Sequence, residues 1–428
     1  MPKFKGELFK HQLEGVDFAL SNPYHLNGFE MGLGKTATAL AVACKLKAKT
    51  LVVAPAYLRK NWLEEIDKFT EGLDIEVISY AALRKRLDAI ANPKMSTLND
   101  STKSLKTIKD IASIMDVRFI IADEAHYLKN HKAKRTEAFH EIVASTKPSH
   151  VMMMSGTPIK NRVSEFWSLL QICFYGGKYP LFKPFHRLFY KFCHTFSYER
   201  TFEVNNIPIV RFDGVKNVER LKELIRPVYI RRRSADVLDL PDMIHTDIVT
   251  KGSKKFEQDL EEAYELFKVD ANDPQYMSLK AANALAKVGD TYKTVSDMLE
   301  NDKKVVVFTC HIDSVRESAK KFKVPFIDGS VSADRRHDII SEFNKSKSGV
   351  LVATIGAAST GFNLTSANYM VFNDFPFVPA DLEQARKRIH RIGQAFKCFY
   401  YYMFNSEFDK KLFNMLHRKQ KDIGKVYE

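Results

Sequence analysis

Residues 24–46 read YHLNGFEMGLGKTATALAVACKL and join a short apolar segment to an alanine-rich helix former through a glycine-containing loop. Glycines let backbone N–H groups turn inward around phosphate oxygens, and the N-terminus of the following helix adds its positive dipole end. Such a loop predicts a phosphate cradle in which Lys35 reaches the β- and γ-phosphates and Thr36 ligates Mg²⁺. The backbone of the cradle would come from Gly32, Leu33 and Gly34. Phe29 stands where the strict GxxxxGK pattern has its first glycine, so an ordinary glycine-rich turn stays an alternative at this point.

A second segment, RFIIADEAH at residues 118–126, resolves much of that ambiguity. It reads as a buried strand of a parallel sheet that ends in two carboxylates, and ligands of open α/β sheets bind at the carboxyl ends of strands. Asp123 would hold Mg²⁺, and Glu124 would orient and deprotonate an attacking water, as phosphoryl transfer to water requires. The alternative is that the carboxylates only cap a helix N-terminus.

Apolar, β-rich runs of this kind recur in two clusters, one before residue 160 and one after residue 300, and helical patterns separate them. Continuous apolar strands alternating with helices indicate parallel sheets buried on both faces. The runs are at 50–55, 117–123, 151–156, 304–309, 324–328, 349–354 and 369–374. The sequence therefore predicts an α/β fold with two parallel-sheet lobes and a helical middle that contains no comparable strand.

The expected middle has two parts of different character. Residues 166–202 are dense in Phe and Tyr interleaved with basic residues, which is typical either of a base-stacking platform or of a packed helical subdomain. Residues 253–302 read as two polar amphipathic helices broken at residues 272–274. Outside this middle, residues 84–116 lie between strands of the first cluster and predict helices and a solvated loop inserted there.

Residues 381–394, DLEQARKRIHRIGQ, place Gln384, Arg388 and Arg391 at helical spacing on one face of a helix that Gly393 could end. Two arginines directed at a nucleotide would act as arginine fingers, worth on the order of 10³ to 10⁵ in rate. A solvated face or one that binds DNA phosphate is an equal alternative.

The composition restricts the class of protein. Of 428 residues, 45% are hydrophobic and 28% charged, which indicates a folded globular protein of two or three domains. Lys and Arg number 66 against 52 Asp and Glu, and the formal charge of +14 favours a polyanionic partner such as nucleic acid. Five widely spaced cysteines predict neither disulfides nor a zinc site. Without a signal-peptide pattern or an apolar run of membrane-spanning length, we expect an intracellular protein and no membrane partner.

The motifs EMGLGKT, DEAH, MSGTPIKN (154–161) and QARKRIHRIGQ (384–394) occur in an order and spacing that resemble helicase superfamily two, specifically its Swi/Snf-type DNA translocase branch. A looser similarity is to the annealing-helicase, HepA-related subgroup. The resemblance extends from residue 8 to residue 394, so a minimal motor without flanking modules is expected. Two departures are Phe29, where the family has an acidic residue, and FPFVPAD (375–381), where it has a Trp-Asn pair.

This resemblance implies two RecA-like lobes, residues 1–228 with a helical insertion at about 166–225, and residues 229–428 with a helical segment at about 253–302. It implies ATP and Mg²⁺ as cofactors. The implied ATP-binding residues are Gln12, Gly32, Leu33, Gly34, Lys35, Thr36, Gly361, Gln384, Arg388 and Arg391. The implied catalytic residues are Lys35, Asp123, Glu124, Arg388 and Arg391, and those coupling nucleotide to DNA are Ser155, Thr157 and Gly361.

The function implied is an ATP-dependent double-stranded DNA translocase, a monomer that opens and closes a cleft between its lobes without separating strands. Its DNA contacts would be to phosphates and independent of sequence. An RNA-directed or strand-separating superfamily-two helicase is the main alternative. A non-hydrolysing nucleic-acid scaffold is a third, against which the complete set of catalytic residues argues.

Overall fold

The computed structural model describes residues 1–91, 116–175, 179–204, 207–250, 258–259, 262, 274–358 and 363–427. The chain divides into unit 1, which comprises Met1–Tyr198, Phe212–Val237 and Lys425–Glu428, and unit 2, which comprises Glu199–Arg211 and Leu238–Gly424. Each unit contains a six-stranded sheet, and all strand pairs within both sheets are parallel. The predicted α/β fold with two parallel sheets is therefore confirmed.

Six of the first ten described strands form the sheet of unit 1. The ten strands are β1 (Lys3–Phe4), β2 (Tyr24–Asn27), β3 (Thr50–Ala54), β4 (Thr70–Glu71), β5 (Ile75–Ser79), β6 (Phe119–Asp123), β7 (His150–Met154), β8 (Tyr198–Val204), β9 (Ile207–Asp213) and β10 (Tyr229–Ile230). The sheet has the order β10-β2-β7-β6-β3-β5, while β1 pairs with β4 and β8 with β9.

Helices surround this sheet. They are α1 (Lys10–Ser21), α2 (Lys35–Leu46), α3 (Arg59–Phe69), α4 (Tyr80–Ala91), α5 (Lys134–Thr146), α6 (Phe166–Cys173), α7 (Phe189–Phe196), α8 (Val218–Ile225) and α9 (Ser234–Val237). Strand β3 is buried at every position, as expected of a central strand covered on both faces. The alanine-rich face of α2 packs into the same core, because small side chains allow the helix to approach the sheet closely.

Unit 2 is built around the second sheet, with the order β11-β16-β15-β12-β14-β13. Its strands are β11 (Met243–Val249), β12 (Lys304–Thr309), β13 (Phe326–Ile327), β14 (Gly349–Thr354), β15 (Tyr369–Phe372) and β16 (Cys398–Phe404). Its helices are α10 (Pro274–Ala286), α11 (Val288–Glu300), α12 (Ile312–Phe322), α13 (Ala333–Lys345), α14 (Ile355–Ala358), α15 (Pro379–Arg386) and α16 (Glu407–Tyr427), of which α16 belongs to unit 2 only as far as Gly424.

Alternate side chains of β12 enter two separate cores of unit 2. Val306 and Phe308 join one cluster, whereas Val305 and Val307 join the other. Because successive residues of a strand point to opposite faces, this division means that helices cover both faces of the sheet. One buried ion pair lies beside it: Lys287 Nζ is 2.8 Å from Asp409 Oδ2, and both side chains are almost fully buried.

One expectation about the middle of the chain needs correction. The stretch between the clusters is not free of strands, since β8, β9 and β11 lie there. Strand β11, MIHTDIV, is mostly exposed and mixes polar with apolar residues, so it gave no apolar run to recognise. Helix α10 begins at Pro274 and α11 follows at Val288, whereas most of residues 251–273, which would include the expected first helix and break, lie outside the described residues.

The aromatic segment 166–202 is a packed subdomain in its described part. The rings of Phe182, Phe185, Phe192 and Phe196 are almost completely buried and contact one another. Much of the 84–116 segment lies outside the described residues.

Unit 1 also extends beyond the boundary expected after residue 228, since it includes residues up to Val237. Strand β10 pairs with β2 and so completes the sheet of unit 1. Among the described helices, none is both long enough and apolar enough to span a membrane.

Candidate active site

The predicted phosphate loop, residues 28–34, lies between β2 and α2 and has a left-handed backbone at two glycines. Gly32 has φ +83° and Gly34 has φ +72°, a region that residues with a Cβ rarely adopt. Gly34 is the N-cap of α2, which begins at Lys35. The Lys35 amine donates to the carbonyls of Phe29 (2.8 Å) and Glu30 (3.0 Å), so it curls over the loop that it follows. Lys35 therefore lies at the junction between the loop and the helix, as the sequence predicts.

Gln12 of α1 lies directly against this loop. Its Nε2 donates to Leu33 O (3.3 Å) and its Oε1 accepts from Phe9 N (2.9 Å). A Cβ added to Gly34 would lie only 2.0 Å from Gln12 Nε2. His11 Nε2 also contacts Leu33 O at 3.0 Å. Gln12 therefore connects α1 to the phosphate loop, which places it beside the residues predicted to bind ATP.

Phe29, the departure noted in the sequence, is completely buried. Its ring packs edge-on to His11, with centroids 5.8 Å apart, and it lies so close to α1 that a Cβ on Gly15 would be 2.9 Å from Phe29 Cζ. Phe29 N donates to Asn27 Oδ1 at 2.9 Å. The aromatic ring therefore anchors the start of the loop in the core of unit 1 through apolar contact.

The two predicted carboxylates lie at the carboxyl edge of the sheet, where Asp123 is the last residue of β6 and Glu124 follows it. Asp123 Oδ2 accepts from Trp62 Nε1 (2.9 Å), and its Oδ1 accepts from Glu124 N (2.8 Å). Tyr80 donates its hydroxyl to Asp123 O at 2.8 Å. Glu124 has φ +49°, which is unusual for a residue with a side chain. The left-handed turn at Glu124 breaks the strand and lets its side chain leave in a different direction from that of Asp123.

The surroundings shift the pKa values of the two carboxyls in opposite directions. Burial, together with the charge of Glu124, raises the pKa of Asp123 to about 6. Burial would also raise the pKa of Glu124, but the hydrogen bond from His126 and the charges of Lys35 and Lys160 hold that pKa below its usual range. Glu124 is therefore ionised at neutral pH, in the form that accepts a proton from water.

The loop after β7 completes this edge of the sheet. His126 Nδ1 lies 3.1 Å from Glu124 Oε2 and 3.3 Å from Ser155 Oγ, and Thr157 N donates to Ser155 Oγ at 3.3 Å. Burial lowers the pKa of His126, so its ring is neutral at pH 7. A Cβ on Gly156 would lie 3.3 Å from Met31 N and 3.6 Å from Lys35 Nζ, so this loop packs against the phosphate loop.

The sequence reasoning missed the supporting partners of the phosphate loop. Glu30 Oε1 accepts from Arg231 Nη2 (3.2 Å), and its Oε2 accepts from the hydroxyl (2.7 Å) and N–H (3.1 Å) of Ser234. The backbone N–H of Glu30 donates to Arg232 O at 3.0 Å. The arginine-rich segment that follows β10 was the available signal, but only the fold places it beside Glu30.

In unit 2, the helix expected to carry Gln384, Arg388 and Arg391 on one face ends earlier than predicted. Helix α15 stops at Arg386, so Arg388 and Arg391 lie in the turns beyond it. The chain folds back there because Leu364 N donates to Arg388 O and the buried Gln394 amide donates to Ala367 O and Ile389 O. Gln384 and Arg388 are buried, and burial lowers the pKa of Arg391.

Gly361 lies outside the described residues, so its predicted contribution to binding and coupling stays a prediction.

The residues after β2 and β6 suit Mg²⁺ chemically. This ion favours hard oxygen ligands and is usually held by one or two carboxylates together with substrate phosphates, not by a protein cage. Asp123 offers a buried carboxylate, and its raised pKa reflects a site where negative charge needs compensation. Within the described residues, no cluster of three or more His, Cys, Asp or Glu side chains could hold a metal.

Comparisons with known proteins identify the family to which the sequence is similar. A model of the SNF2-related domain matches residues 11–311, and a model of the helicase conserved C-terminal domain matches residues 290–393. The chain is 28% identical to the DNA annealing helicase and endonuclease ZRANB3 of Bos taurus, over 99% of this chain and 41% of that protein.

It is 29% identical to the SWI/SNF-related matrix-associated actin-dependent regulator of chromatin subfamily A-like protein 1 homolog of Caenorhabditis elegans, over 99% of this chain and 62% of that protein. The chain thus spans about two fifths to three fifths of the length of these relatives. Among solved structures, the Sulfolobus solfataricus SWI2/SNF2 ATPase core in complex with dsDNA matches 99% of this chain and 97% of that one, at 22% identity and a TM-score of 0.41.

Proposed function

The chain belongs to the SNF2-related family of ATP hydrolases, and from that premise we propose that it is a motor that couples ATP hydrolysis to movement along double-stranded DNA. The observation that carries the proposal is the grouping at one sheet edge in unit 1, where Lys35, Glu124 and Ser155 follow three parallel strands that the SNF2-related match includes. Because the strands are parallel, all three loops leave the same edge.

In the proposed reaction, the phosphate loop binds ATP through its backbone N–H groups, and Lys35 exchanges its loop carbonyls for phosphate oxygens. Asp123 and Thr36 would hold Mg²⁺, and the ion would supply positive charge to offset the negative charge of the phosphates. Glu124, ionised and oriented by His126, accepts the proton of the attacking water. Ser155 and Thr157 are proposed to transmit the state of the nucleotide, since Ser155 contacts the same His126 nitrogen as Glu124 does.

We further propose that Gln384, Arg388 and Arg391 of unit 2 complete the ATP site, with the two arginines acting on charge that develops on the transferred phosphoryl group. Their place within the family's QARKRIHRIGQ motif supports this role. Opening and closing of the two units in response to hydrolysis would then step the motor along one strand without separating the duplex.

The charge of the chain and the nature of its relatives support DNA as the track. An excess of 66 basic over 52 acidic residues suits phosphate contacts that do not depend on sequence. ZRANB3 is named as a DNA annealing helicase and endonuclease, and this chain spans 41% of it. We therefore propose the ATP-driven DNA motor for this chain, with Mg²⁺ as its metal.

The test is to measure ATPase rates with duplex DNA, single-stranded DNA and RNA over a range of salt concentrations. We expect strong stimulation by duplex DNA, weak stimulation by RNA and steeply weaker binding as salt rises. Displacement of a triplex-forming strand reports translocation, and unwinding of a forked duplex reports strand separation. Equal stimulation by RNA would support an RNA-directed motor, and unwinding of the fork would support a strand-separating helicase.

A further inference from the structure

Tyr427 lies in the last turn of α16 and belongs to unit 1. Its hydroxyl accepts a 2.9 Å hydrogen bond from the backbone N–H of Ile159, which closely follows the Ser155 loop. Its ring lies against the guanidinium of Arg231, whose Cζ is 4.2 Å from the ring centroid, and near the ring of Tyr229, at 5.9 Å between centroids. Tyr427 therefore contacts two separate segments that border the phosphate loop.

The first of these contacts leads to the loop through Arg231. The Arg231 guanidinium donates to Glu30 Oε1 at 3.2 Å, and both side chains are about four-fifths buried. The same strand supports the loop backbone, because Gly28 N donates to Ile230 O at 2.7 Å. Tyr229 covers Gly28 so closely that an added Cβ would lie 2.3 Å from its ring. Residues 28–30 are thus held by a strand whose side chains Tyr427 contacts.

The second contact leads to the loop through Ile159. That residue follows Gly156, where an added Cβ would be 3.3 Å from Met31 N. Fixing the Ile159 amide therefore limits how far the Ser155 loop can move away from the phosphate loop. The Ser155 hydroxyl also lies beside His126, the neighbour of Glu124.

We propose that Tyr427 is a positioning residue of the ATPase site. It holds the segment from Tyr229 to Arg231 and the loop after Ser155 in the arrangement that accepts nucleotide. The proposal rests on the assignment of the Lys35 loop as the ATP site. It goes beyond the family motifs, all of which end by residue 394.

Tyrosine suits this position because each part of its side chain has a separate partner. The hydroxyl satisfies the Ile159 amide, and the ring stacks on Arg231 as a cation–π pair. Burial raises the pKa of Tyr427 well above its usual range, so the hydroxyl stays neutral at working pH. Phenylalanine would keep the ring contact and lose the hydrogen bond, whereas alanine would lose both.

The experiment compares Tyr427→Ala, Tyr427→Phe and wild type by titration with a fluorescent ATP analogue in the absence of DNA, by ATPase kcat and KM, and by thermal unfolding. We expect the nucleotide Kd and the KM for ATP to rise about tenfold in Tyr427→Ala and about threefold in Tyr427→Phe, with kcat at saturating ATP changed less than twofold. Tyr190→Ala is the matched control, because the Tyr190 ring is 60% exposed and lies in α7, and it should leave Kd unchanged.

A double-mutant cycle with Arg231→Met gives a second measure. If Tyr427 and Arg231 act on the loop together, their effects should not add. The Kd of the double variant should then exceed the larger of the two single-variant Kd values by no more than about threefold. A Tyr427→Phe protein that binds ATP as wild type does, together with fully additive losses in the cycle, would overturn the proposal. So would a Kd change that disappears once the unfolded fraction is subtracted.

Lys35→Ala keeps the two assignments distinguishable. If Lys35→Ala binds nucleotide normally, the ATP site itself is misassigned. If Lys35→Ala loses binding and the Tyr427 variants keep it, only the positioning role fails.

Discussion

Gly34→Ala tests the geometry of the phosphate loop most directly. At φ +72° an alanine costs about 1–2 kcal/mol relative to glycine. Its Cβ would also lie 2.0 Å from Gln12 Nε2, so the amide must move and give up its bonds to Leu33 O and Phe9 N. Each lost hydrogen bond costs about 1 kcal/mol, which brings the total to about 3–4 kcal/mol. Because 1.4 kcal/mol is a factor of ten, ATP affinity should fall by a factor of roughly 10² to 10³.

The contribution of the clash can be isolated by repeating the substitution in a Gln12→Ala background. Without the Gln12 amide only the backbone cost remains, so Gly34→Ala should then weaken binding by about tenfold relative to Gln12→Ala alone. The assay is titration with a fluorescent ATP analogue, with thermal unfolding to confirm the fold. Gly289→Ala is the control glycine, because an added Cβ there meets nothing within 4 Å. Equal penalties in both backgrounds, or a Gly34→Ala protein that binds within threefold of wild type, would refute the reasoning.

Three further predictions concern the site. Glu124→Gln should keep ATP affinity within a few-fold and lower turnover by at least about 10², since the ionised proton acceptor is lost; ATPase rates within threefold of wild type would contradict this. Arg388→Ala and Arg391→Ala should lower turnover at saturating DNA more than they lower ATP affinity; near-normal turnover with a weaker salt dependence of DNA binding would assign both residues to phosphate contacts instead. Asp123→Asn should affect the unfolding temperature of the Mg²⁺-free protein a few degrees more favourably at pH 8 than near pH 4, and the loss of one acceptor oxygen is common to both pH values. The folded-state pKa of about 6 exceeds the ordinary 3.8, so ionisation of Asp123 costs stability as the pH rises through this interval; the same effect of the substitution at both pH values would exclude that cost.

Most of the strands that the sequence predicted are buried on both faces, although β16, which is also largely buried, was not predicted. Runs such as Lys304–Thr309 are apolar throughout because helices cover both sides of the sheet, and that pattern is visible without a structure. Strand β10 has only two residues and is recognisable as a strand only from its pairing with β2. Strand β11 is largely exposed and pairs with β16, so its polar residues concealed it. Pairing between distant segments is not encoded in local periodicity.

The candidate site divides in the same way. Lys35, Asp123 and Glu124 could be placed because each follows a recognisable strand at a sheet edge. Arg388 and Arg391 have helical spacing, but hydrogen bonds from Leu364 and Gln394 stabilise a turn in place of a further helical turn. Tertiary contacts of this kind override a local periodic pattern.

The pairing of Glu30 with Arg231 also has a consequence during synthesis. The two residues are 201 positions apart in the chain. At translation rates of about 5–20 residues per second, roughly 10–40 s separate the appearance of the phosphate loop from that of the strand that supports it. During that interval the nascent chain exposes the edge of β2 that β10 later covers, and unpaired strand edges are sites of aggregation. Slow ribosomes would lengthen this exposure, so the yield of folded protein should depend on codon choice between residues 30 and 230 more than on codons elsewhere.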